Sequence, residues 1–218
     1  MKKIFLFFGI LVSLLVSNCG LVYAFDIVPQ FVSMVQTNTV GIYKAPNSIK
    51  LYLEPDETSK LIDVITWSKD GIDPNTINAQ DLFVVYLPEE NKGFLAVAQE
   101  NEDWIQVIYN NSTGDMAWVK KDVSENYMSW ENFFDLYGKK YGLKILNGTN
   151  NDEKTIYAQA DEYSKVVGKV YKLQKINLHG IKGNWASVTV TDINNVSKTG
   201  YVKWRSERGI KYFFPDIP

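Results

Sequence analysis

Cysteine and histidine are nearly missing from this sequence: each occurs once in 218 residues. The cysteine, Cys19, lies in the leading apolar segment, and the histidine is His179. A thiolate nucleophile needs a neighbouring base, so a Cys-His peptidase has no constituents here. A zinc site needs several thiolate or imidazole ligands and has none to draw on. A Ser-His-Asp triad would need His179, which lies in a turn-like stretch, "NLHGIKGN", and no Gly-x-Ser-x-Gly elbow is present. There is no glycine-rich phosphate loop. The acidic pairs Asp56-Glu57, Glu89-Glu90 and Asp152-Glu153 fall at turns, where carboxylates are solvated surface unless their environments split their pKa values for glycosidic hydrolysis. No catalytic residue, metal or cofactor is expected. A basic excess is also lacking, with 23 Lys and Arg against 25 Asp and Glu. Nucleic acid is therefore not an expected partner.

An apolar run long enough to cross a bilayer is absent too. "MKKIFLFFGILVSLLV" has two lysines and then an apolar stretch from Ile4 to Val16, shorter than the ~20 residues a spanning helix needs. Val22-Tyr23-Ala24 follows, with small or aliphatic residues where signal peptidase reads. The expectation is a signal helix over 1–24, cleaved after Ala24, and a secreted or periplasmic protein. Cys19 offers an alternative. "LVSNC" is close to a lipobox, with Asn18 where Gly, Ala or Ser is usual, and acylation there would tether the chain to a membrane. Cleavage at Ala24 leaves 21 basic and 25 acidic residues and no cysteine.

What is present is a repeat. "LYLEPDETSK" at 51–60 and "IYAQADEYSK" at 156–165 share an apolar residue, a Tyr, an acidic turn and Ser-Lys. Later landmarks keep the same order: "WIQVIY" then "MAWVKK" in the first copy, "WASVTV" then "YVKW" in the second. Ser59 and Trp104 are 45 positions apart against 21 for Ser164 and Trp185, so the first copy holds about 24 extra residues. Their Gly, Pro and Asn content suits a surface loop, with "LFVVYL" as an added strand. "WIQVIY" and "WASVTV" alternate as half-buried strands do. Asn110, Asn111, Asn147 and Asn195 begin Asn-x-Ser/Thr sequences and are read as turn residues. Between the copies, "SWENFFDLYGKKYG" places Trp130, Phe133, Phe134 and Tyr137 on one helical face. Ser129 can cap that helix and Gly138 can end it. Burying four rings contributes on the order of 8 kcal/mol before entropy costs, enough to pin two units together.

These landmarks resemble the bacterial Src-homology-3-like (SH3-like) family. The first copy carries Leu51-Tyr52, Glu54-Pro55, Ser59-Lys60, Asp103-Trp104-Ile105-Gln106-Val107 and Ala117-Trp118-Val119-Lys120. The second carries Ile156-Tyr157, Ser164-Lys165, Asn184-Trp185-Ala186-Ser187-Val188 and Gly200-Tyr201-Val202-Lys203. The resemblance spans most of 45–123 and 144–206. Ala117 stands where the family favours Gly, and Tyr201 where it favours Trp. The resemblance implies an all-β fold of two small SH3-like barrels joined by a short aromatic-rich helix. The expected divisions are a first barrel over 25–125 with an insertion near 67–92, a connector over 126–142 and a second barrel over 143–218. It also implies a binding role toward cell-wall peptidoglycan peptides or an envelope protein. Tyr52, Trp104 and Trp118, and Tyr157, Trp185 and Tyr201, either line ligand grooves or fill the barrel cores. A scaffold of an envelope complex without wall affinity is the competing expectation.

Overall fold

The computed structural model describes residues 25–72, 77–122 and 127–218. The expected signal helix, Cys19 and the first boundary near 125 lie outside the described residues. The fold is mostly β and barrel-like, built on two antiparallel sheets.

The first sheet holds β1 (Gly41–Ala45), β2 (Ser48–Tyr52), β3 (Leu61–Ser68), β4 (Gly71–Ile72), β5 (Val85–Leu87), β6 (Lys92–Glu100), β7 (Trp104–Asn110), β8 (Asp115–Lys120) and β9 (Tyr127–Ser129). The second holds β10 (Leu143–Ile145), β11 (Thr155–Tyr157), β12 (Val166–Lys169), β13 (Lys175–Lys182), β14 (Trp185–Thr191), β15 (Ser197–Lys203) and β16 (Phe213–Pro215). The second sheet runs β12-β11-β15-β14-β13-β10-β16. The first runs β3-β2-β8-β7-β6-β1-β9, with β4 added beyond β3 and β5 added on β6. Strand for strand, the order is the same.

The local details repeat as well. Ile62 of β3 and Val167 of β12 bulge opposite the Leu51–Tyr52 and Ile156–Tyr157 steps, and another bulge follows Val97 in β6 and Leu178 in β13. The Ser-Lys motif is a turn device. Ser59 Oγ accepts from Glu54 N–H at 2.9 Å, and Ser164 Oγ accepts from Gln159 N–H at 3.2 Å. The turn carboxylates accept from Thr58 N–H and Tyr163 N–H, at 2.8 and 3.0 Å. The first of these bonds, with a second from the Thr58 hydroxyl, holds the Asp56 carboxyl below its ordinary range. The lysine closing each Val-Lys landmark reaches back to its turn, Lys120 to Glu57 and Lys203 to Glu162.

Three expectations need correction. Among the described extra residues of the first copy, 82–87 is not surface loop, although Lys69, Asp70, Asn78 and Gln80 are exposed. After a one-turn helix, Ala79–Leu82, residues Leu82 to Leu87 are buried without a break, and only Val85–Leu87 is strand. Phe83 stacks on Tyr86 at 4.7 Å and meets Trp67 edge-on at 5.1 Å. An unbroken apolar run is buried on every side, so it fills the core as an irregular plug. His179 is not in a turn. It is the extra residue of the β13 bulge, exposed and bonded to Thr189 Oγ1 at 2.8 Å. Gly138 does not end the connector helix. Trp130–Phe133, Phe134–Gly138 and Lys139–Tyr141 run on consecutively, the middle part as a π-turn, and the chain leaves the helix at Gly142 with φ +85°. Gly138 has ordinary helical angles. A Cβ there would sit 2.7 Å from Leu178 Cδ2, so its role is close packing against β13.

The aromatic helix sits at the seam between the sheets. Ser129 Oγ accepts from Asn132 N–H at 3.2 Å and caps it. Trp130, Phe133 and Phe134 are fully buried, packed with Phe94 of the first sheet and Trp204 and Phe214 of the second half. They belong to one hydrophobic cluster drawn from both halves. The leading residues 25–40 also reach across. Ile27 pairs with Tyr86, and Phe31 pairs with Asn147. Lys211, 1% exposed, donates to Gln36 O at 3.0 Å and Thr39 Oγ1 at 3.2 Å and lies 4.6 Å from the centre of the Trp130 ring. Burial, reinforced by repulsion from Arg205, pushes the Lys211 ammonium down to about 7.

Candidate functional site

Each copy places its Tyr on the strand next to the Trp-Val-Lys or Tyr-Val-Lys strand. Tyr52 lies opposite Trp118, and Tyr157 opposite Tyr201. Each Tyr also meets the Trp that opens the neighbouring strand. Tyr52 and Trp104 have ring centres 5.5 Å apart at 87°, and Tyr157 and Trp185 5.6 Å apart at 87°. Edge-to-face contact at this separation is the favoured geometry for an aromatic pair. All six candidate residues therefore fall into two like-built aromatic clusters.

The clusters differ in what covers them. Tyr52 and Trp104 are 8% and 9% exposed, whereas Tyr157 and Trp185 are half-buried, as are Trp118 and Tyr201 in their respective copies. Trp185 and Tyr201 border a groove of about 440 Å³, which Tyr157 does not line. Its floor and walls include Ala158, Ala160, Gly180 and Ser187, beside Trp185 and Tyr201. Matching the copies through their paired strands shows how its lining differs. Gly180 lies opposite Ser187, as Gln99 lies opposite Gln106. Ala158 and Ala160 take the places of Leu53 and Pro55 in the aligned turns. Four small residues in the second copy thus stand where the first has four larger ones.

The groove offers a ring surface, a cation and several polar atoms. Lys182 and Gln159 line it. Just beyond, Lys203 is held by Glu162 and stands 3.6 Å from Glu207, and its bond to Glu162 raises its pKa above the ordinary lysine value. Such a surface suits an extended chain lying across aromatic faces, with a carboxylate directed at Lys182. The pattern of small residues was readable in the aligned copies, but only once strand register had fixed which positions correspond.

Neither a protein-family model nor a curated protein matches this chain.

Proposed function

We propose that the chain is a non-catalytic binding protein, exported by its leading segment, in which two SH3-like barrels are fused by the aromatic seam. The second barrel takes an extended peptide segment of cell-wall peptidoglycan in its groove. The first is closed and acts as support. One observation carries this reading: the same Tyr–Trp pair is built twice, and it is buried in the first copy but half-buried beside four small residues in the second. The twice-repeated strand order, bulges and Ser-Lys turn support the SH3-like assignment. The shared core at the seam favours a second reading, a rigid scaffold for an envelope protein partner.

Co-sedimentation of residues 25–218 with insoluble peptidoglycan tests the first reading against a Gly180→Gln variant. No atom lies within 4 Å of a Cβ built at Gly180, so the substitution is accommodated, and it installs the first copy's residue in the groove. Binding that falls at least about tenfold in this variant, with an unchanged melting temperature, is the expected outcome. Equal binding by both proteins removes the groove from the proposal. No binding by either leaves the scaffold reading.

A further inference from the structure

A second cleft, of about 630 Å³, lies in the same half of the molecule. Lys154, Lys169 and Lys172 line it together with Asn147, Asn151 and Tyr171. Two of its lysines are only loosely engaged. Lys154 Nζ reaches Asn151 Oδ1 at 3.3 Å, and Lys169 Nζ lies 3.4 Å from Asn151 O and 3.9 Å from the exposed carboxylate of Asp152. At its lip is the turn Tyr171-Lys172-Leu173-Gln174. Gln174 Oε1 accepts from Tyr171 N–H at 2.7 Å and fixes the turn. Leu173 has φ +68° and is 92% exposed, and Tyr171 is 63% exposed. A leucine is a poor occupant of left-handed backbone, and a large apolar side chain at a fully exposed tip gains nothing from burial. Both costs fall on one residue, flanked by Lys172 and Lys175.

The charge of the whole molecule points the same way. Residues 143–218 hold twelve Lys and Arg against seven Asp and Glu, whereas residues 25–125 hold seven against sixteen. The half that carries this loop is thus net cationic and the other half net acidic. A long-range field of this kind turns the cationic half toward an anionic surface and the acidic half away.

We propose that this cleft and loop dock on an anionic lipid surface. The lysines would hold a headgroup phosphate, and Leu173 and Tyr171 would enter the boundary with the acyl chains. Basic residues supply the attraction in such contacts, and protruding aliphatic and aromatic side chains supply the anchoring. The site lies apart from the aromatic groove and does not depend on the peptide-binding reading.

Flotation of residues 25–218 with phosphatidylglycerol-containing vesicles, against vesicles of phosphatidylcholine alone, tests the proposal. Two variants accompany the parent protein. Lys169→Glu/Lys172→Glu reverses the charge at the cleft. Leu173→Asn removes the apolar tip with a residue that tolerates left-handed backbone, so loss of fold is not a concern. The expected result is binding to the anionic vesicles only, weakened at least about tenfold by the charge reversal and several-fold by Leu173→Asn. Absence of binding by the parent protein overturns the proposal. Binding insensitive to both variants also overturns it. Loss on charge reversal alone, with glycerol phosphate binding measurable by calorimetry, would make the cleft a soluble-phosphate site and refute the membrane contact.

Discussion

Lys211 is the residue whose chemistry departs furthest from its sequence appearance. Nothing in "RGIKYFF" marks it as buried, because burial here is imposed by residues far away in the chain. Gln36, Thr39 and Trp130 close over it, and no carboxylate is among the atoms it bonds. With its pKa lowered to about 7 in the fold and near 10.5 in the unfolded chain, the unfolded state binds the extra proton between those values. The contribution of this residue to stability therefore rises as pH climbs from about 7 toward 10.5, and it is flat below 7. The full excursion is on the order of 5 kcal/mol. Urea midpoints measured at pH about 7 and about 9.5 should separate in the parent protein. In a Lys211→Met variant that separation should shrink, since the apolar side chain fills similar space with no proton to bind. The six aromatic candidates were legible in the sequence as a set. Their burial was not, since it differs between the copies, beside four small residues in one and larger ones at the matching positions of the other.

Among elements, the connector helix was the most legible. Its apolar positions keep helical spacing, and Ser129 caps it as the sequence suggests. Its end was not legible. Gly138 has the composition of a stop, but the space available against Leu178 and Leu143 decides its role. The plug of the first copy was legible only in part: Val85–Leu87 is the added strand, but the burial of 82–84 was not foreseen. Gly, Pro and Asn near its start signal a loop, while the following "LFVVYL" is too short for its period to reveal the irregular path it takes. The helix makes a strong prediction. Phe134 touches Trp204 at 4.2 Å and Phe214 at 5.5 Å between ring centres. Phe134→Ala should cost about 3–5 kcal/mol. Because the ring belongs to a cluster fed by both halves, chemical denaturation should show both sheets losing stability together, read by tryptophan fluorescence and far-ultraviolet dichroism on one sample.

At the scale of the whole molecule, the duplication was legible because strand register fixes spacing. Tyr52 to Ser59 and Tyr157 to Ser164 are both seven positions, whereas Trp104 to Trp118 and Trp185 to Tyr201 differ by two through the turn between their strands. The leading residues 25–40 carry no such period, and their role in joining the halves was invisible. They lie against the last residues of the chain. Gln36 and Lys211 are 175 positions apart, and the Cβ that Gly209 lacks would fall 2.3 Å from Thr37 O. Removing residues 209–218 should abolish the single cooperative thermal transition of residues 25–218, by taking away Lys211, Phe213 and Phe214 together. Scanning calorimetry of the two proteins checks this. The same closure sets a clock on assembly. A chain emerging from its amino end presents the first sheet long before the residues that complete its seam exist. The aromatic faces around Phe94 and Trp130 must wait, uncovered, until Trp204 and Phe214 arrive. Newly made protein should thus pass through a sticky interval that ends only once residues 209–218 have been made, and holding factors that shield apolar surface should matter most in that interval.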